Sequence, residues 1–104
     1  MPLSLASEFK VQSRTLKQIK RQGQVAIYEL YGAQGMLIGY EVAVIRVEKA
    51  RGIFGKQYPD HETYPSNEEW GAYGWSNQAR DLAGAQKRFD SLLPKWGANL
   101  AYRG

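Results

Sequence analysis

Few residues of this chain are suited to chemistry by type and spacing. His61 is the single histidine, it stands between Asp60 and Glu62, and the chain has no cysteine. A transition-metal shell of imidazole and thiolate donors cannot be completed from that set. A serine hydrolase would have to recruit the same histidine, and no serine sits in a G-x-S-x-G elbow. The stretch GIFGK at 52 to 56 has two residues between its glycines instead of four and runs on into Gln57, so it is not a phosphate loop. Glu68 and Glu69 are neighbours, and Ser66 precedes Glu69 at the spacing of a helix capping box, which explains them better than an acid/base pair does. These residues predict a protein that is not an enzyme and carries no cofactor and no metal.

Aromatic and basic side chains are the remaining candidates, and they suit binding. Phe54, Tyr58, Tyr64, Trp70, Tyr73 and Trp75 place six of the thirteen aromatics within 22 residues, in and after an acidic stretch that has no base from 57 to 79. Asp60, Glu62, Glu68 and Glu69 would repel phosphates there, so Tyr64, Trp70, Tyr73 and Trp75 are expected either to pack a long loop onto its domain or to grip a partner protein. Positive charge is concentrated earlier: residues 9 to 56 carry nine Lys/Arg against three Glu, a net +6, whereas residues 57 to 104 carry a net −1. Lys17, Lys20, Arg21, Arg46, Lys49, Arg51 and Lys56 are the expected contacts to a polyanion, on a basic sheet face.

The elements that must position these residues follow from composition and periodicity. A chain of 104 residues fits one domain, and its 43% hydrophobic and 23% charged content is that of a globular one. No apolar run is long enough to span a membrane, and the first ten residues lack the basic and apolar regions of a secretory leader, so the cytoplasm is the expected compartment. VAIYELY at 25 to 31 interleaves two side-chain sets and predicts a strand; glycines in GAQG at 32 to 35 turn it into a second extended run at 36 to 48. Ile38, Tyr40, Val42 and Val44 are expected to face the core, with Glu29 and Glu41 marking the wetter side. Upstream, Phe9, Val11 and Ser13 alternate like a strand while Leu16 and Ile19 also suit a short helix, and the β-rich context with Gly23 as a turn favours one or two further strands over residues 9 to 23. Residues 49 to 71 read as a long loop ending in one helical turn at 67 to 70 that Gly71 stops. Ala79, Leu82, Ala85, Phe89, Leu92 and Leu93 then recur at helical spacing up to Pro94, capped by Ser76 or Asn77. Close approach of helix and sheet is the expected reason for Gly84. The tail 94 to 104 is expected to be flexible, or docked by Trp96, Leu100 and Tyr102.

The fold class predicted is therefore α+β, an antiparallel sheet of three to five strands followed by one C-terminal amphipathic helix packed on one face. In element order this resembles the fold of the single-stranded-DNA-binding transcriptional coactivators, a resemblance that implies single-stranded nucleic acid as partner. The expected function is a small binding protein, a possible homodimer, that contacts single-stranded nucleic acid through its basic strands. The alternative is a protein-interaction module or small regulator using the acidic and aromatic segment 57 to 75.

Overall fold

The computed structural model describes residues 5–48, 51–53, 56–58 and 60–97, with side chains for 5–48, 60–66 and 68–97. The fold is α+β. Strands β1 (Glu8–Val11), β2 (Arg14–Gln22), β3 (Val25–Tyr31) and β4 (Leu37–Val44) form an antiparallel meander, and β9 (Gly74–Gln78) adds to the far side of β4, giving the order β1-β2-β3-β4-β9. The segment 9 to 23 thus makes two strands. They join through Gln12, whose φ of 57° puts a non-glycine residue in the left-handed region at the turn. The first glycine turn is as the sequence predicts: Gly32 N–H donates to the Met36 carbonyl at 2.9 Å, and Gly35 takes a φ of 81°.

β3 is buried nearly end to end because both faces of the sheet are covered. On one face Val25, Ile27, Tyr40 and Val42 pack against Ala85 and Phe89 of the helix α1 (Leu82–Leu92). On the other, Leu16, Ala26, Tyr28, Leu30 and Ile45 pack with Phe9, Val47 and Tyr64. Phe9, Tyr28 and Tyr64 meet edge to face with centroids 5.2 to 5.5 Å apart. Two expectations about faces are corrected. Glu29 pairs with Tyr40 and Glu41 with Tyr28, so the two glutamates lie on opposite faces and no single face is the wet one. A register shift beyond Leu30 turns Leu37 towards the helix core and leaves Ile38 44% exposed.

The segment read as a loop is largely a β-ribbon. Strands β5 (Arg46–Glu48) and β8 (His61–Thr63) pair antiparallel, as do β6 (Arg51–Ile53) and β7 (Lys56–Tyr58), and both ladders keep the same register. The two ladders therefore lie on one hairpin path. Strands of three residues are too short to show hydrophobic alternation. Beyond it, the predicted turn is present at Asn67–Glu69, with Ser66 N–H and Oγ donating to Glu69 Oε1 at 2.9 and 3.2 Å and Gly71 at φ 92°.

The helix cap differs from expectation. Ser76 and Asn77 belong to β9, and the helix is capped by Asp81, whose Oδ1 accepts from Gly84 N–H at 3.0 Å while its Oδ2 accepts from Asn77 Nδ2 at 2.8 Å. Ala79 precedes the helix, and Leu82 in its first turn is 44% exposed. A Cβ at residue 84 would collide with the Asp81 carboxylate, so the cap accounts for Gly84, not the approach of helix to sheet. Past Leu92 the chain continues through a wide helical turn, Leu93–Gly97, pinned to the sheet by Gln24 N–H donating to the Trp96 carbonyl at 3.1 Å. Leu100 and Tyr102 lie outside the described residues.

Gly74 carries a sharp expectation. A Cβ there would overlap the six-membered ring of Trp70, so Gly74→Ala should cost about 1–3 kcal/mol, read by thermal unfolding. An unchanged melting temperature would mean that the indole is not seated on β9.

Candidate functional site

The cations singled out in the sequence do not share a face. Lys17 and Lys20 lie on the helix side of the sheet, Lys17 with its ammonium 5.1 Å from the Tyr31 ring centroid and Lys20 4.9 Å from that of Phe89. Lys20 also donates to Gln86 Oε1 at 3.0 Å. Arg21 is on the opposite face, where it forks onto Glu62 with Nη1–Oε1 at 2.8 Å and Nη2–Oε2 at 2.7 Å. Arg46 pairs with Glu69 and lies 3.9 Å from the Tyr73 ring centroid. Arg51 and Lys56 sit on the outer strands of the ribbon, and Lys49 lies outside the described residues. Two of the seven are thus spent on tying the ribbon root and the 67–69 turn to the domain.

These ion pairs also dispose of two of the acids that argued against an aromatic binding surface. Glu62 is held below its ordinary carboxylate range, chiefly by the hydrogen bonds from Arg21 and also by Leu5 N–H, against a burial that pushes the other way. Arg21 is correspondingly raised. Glu69 accepts from Ser66 and pairs with Arg46. Among the four aromatics named as partner contacts, Tyr64 is packed against Phe9 and Tyr28, and Tyr73 lies between Arg46 and Trp96, 6.0 Å from the latter ring. Trp70 and Trp75 are half-buried and border open space.

That space is a trough of about 610 Å³ at the edge of the sheet, between α1 and β9. β9 is an edge strand because, among the described residues, its sole neighbour in the sheet is β4. Along the helix, Gly84, Lys87, Arg88 and Ser91 recur at three and four residue steps and so form one stripe towards β9. Trp75 lies opposite Val42 on the helix side, with the Arg88 guanidinium 5.0 Å from its ring centroid. Trp70 closes the other flank, its indole N–H donating to Ser76 Oγ at 2.9 Å. Two indoles, two cations and several small polar groups therefore border the trough, and among the described residues no carboxylate lines it. The nearby Asp81 has one oxygen on the helix cap and the other on the Asn77 side chain.

Sequence reasoning had Trp70 and Trp75 but missed Lys87 and Arg88, which lie off the apolar stripe of the helix. The available signal was the small-and-basic stripe at 84, 87, 88 and 91. Lys20, on β2, lies on the other flank of the helix, as its contacts with Gln86 and Phe89 show. Among the described residues no helix is long and apolar enough to cross a membrane. No protein-family model matches the chain, and it has no significant match among curated proteins or solved structures.

Proposed function

We propose that this chain is a non-enzymatic protein that binds single-stranded nucleic acid in the trough between α1 and β9. One observation carries the reading: Trp70, Trp75, Lys87 and Arg88 border one open trough that, among the described residues, no carboxylate lines. Single strands are held where flat aromatic surfaces stack bases and cations follow the phosphates, and a base stacked on an aromatic ring contributes about 1–3 kcal/mol. The basic strands named from the sequence move to the periphery of this reading, and the helix supplies the phosphate contacts.

Trp75→Ala should weaken binding of a labelled oligothymidylate by about 1–3 kcal/mol, measured by fluorescence anisotropy at low salt. Its melting temperature should change little, because the ring is half-exposed. No binding by the unaltered protein at low salt, or equal binding by the variant, would remove the proposal. A second reading has one observation of its own: the edge position of β9 suits addition of a strand from a partner protein. That binding would be insensitive to salt, whereas a strand of phosphates is released by it.

A further inference from the structure

On the opposite face of the sheet lies a second groove, about 630 Å³, that the nucleic-acid reading does not use. Leu16, Leu30, Pro65 and Val11, the last 49% exposed, form an aliphatic strip along a wall that Gln12, Ser66 and Ser76 make otherwise polar. Glu41 reaches it from the middle of β4 and is, among the described residues, the sole carboxylate that lines it. One Glu41 oxygen, Oε1, accepts the Tyr64 hydroxyl at 2.7 Å. Trp70 forms the partition between this groove and the trough. At the rim stands Arg14, exposed, whose charge favours the ionised Glu41 from a distance.

We propose that this groove docks a partner polypeptide through a basic side chain flanked by an acidic one, the basic group closing on Glu41 and the acidic group on Arg14. Charge complementarity selects this occupant. A half-buried carboxylate with a single neutral donor is short of compensation, and an ammonium or guanidinium supplies it with charge-assisted hydrogen bonds. The methylenes of Lys or Arg match the aliphatic strip, and the Trp70 and Tyr64 rings favour a cation beside them. The groove volume exceeds that of one side chain, which fits a short stretch of chain and not an isolated amine. Burial raises the proton affinity of Glu41, against the opposing pull of Tyr64 and Arg14, and a cation bound there opposes that rise.

The probes are two blocked dipeptides, acetyl-Arg-Asp-amide and its neutral counterpart acetyl-Gln-Asn-amide, titrated into ¹⁵N-labelled protein. The Arg-Asp peptide should shift the amides of Val11 and Glu41 and the Trp70 indole at millimolar concentration; the neutral peptide should not. Glu41→Gln keeps an acceptor for the Tyr64 hydroxyl and should weaken the peptide by about tenfold, while oligothymidylate binding in the trough stays unchanged. Arg14→Gln, at an exposed position, should weaken it as well and covers the case in which position 41 does not tolerate change. Equal binding of the two peptides, equal affinity in both variants, or no perturbation of the groove would each overturn the proposal.

Discussion

Glu62→Gln is expected to destabilise the fold by about 3 kcal/mol, the cost of breaking a poorly solvated ion pair by removing one partner. The side chains of Arg21 and Glu62 are 23% and 9% exposed, so the arginine would be left with its charge in a place water reaches poorly. Arg21 also donates through Nε to the Gly23 carbonyl at 3.1 Å, which fixes the fork, and Glu62 accepts from Leu5 N–H at 2.8 Å. One carboxylate thereby ties three separate segments together: the N-terminal stretch, β2 and the ribbon. Its pH dependence has a definite sign. Glu62 is held below its ordinary value of 4.5 in the fold, so its contribution is present above that value and is lost as pH falls through the lower folded value. Urea unfolding of the wild type and Glu62→Gln should therefore differ most at neutral pH and converge in acid. A constant gap across pH would show that the pair is not the source. Glu41 has the opposite sign: burial raises its folded value, so its ionisation lowers stability as pH rises through that value.

The second large effect is on binding. Replacing both Lys87 and Arg88 by alanine should lower oligothymidylate affinity by at least tenfold and reduce the slope of log K against log salt by about 1.4, since each phosphate contact on a single strand contributes about 0.7. Both side chains are exposed and neither caps the helix, so the fold should survive the change. Lys17→Ala and Lys20→Ala should have much smaller effects, because those ammonium groups lie over Tyr31 and Phe89 on the far flank of the helix. If the Lys17 and Lys20 variants lose binding and the Lys87 and Arg88 variant keeps it, the basic strands of the sequence reading are the site and the trough is not.

The contrast between these two sets of lysines shows what was legible in the sequence. Local signals read correctly: VAIYELY as a strand, the glycine turn after it, the Ser66 and Glu69 box, and the spacing of Ala85 and Phe89 on the helix. Each depends on residues within a few positions of one another. The pairing of Arg21 with Glu62 spans 41 residues and has no local trace, and without it Arg21 looked like a free cation. The ribbon was hidden because its strands are three residues each, too short for alternation to register. Lys87 and Arg88 were missed because a helical wheel shows which residues turn away from the core, but not that the edge strand β9 stands on that side. Leu37 and Ile38 exchanged roles through a single register shift, which alternation along one strand cannot reveal.

The central claim is that the single-strand site is the trough, and mapping the footprint of a bound strand tests it most directly. On titrating ¹⁵N-labelled protein with oligothymidylate, the trough account predicts that the Trp75 indole and the amides of Ser76, Asn77, Lys87, Arg88 and Ser91 shift together along one binding curve. A footprint confined to β1, β2 or the ribbon, with the Trp75 indole unmoved, would contradict it.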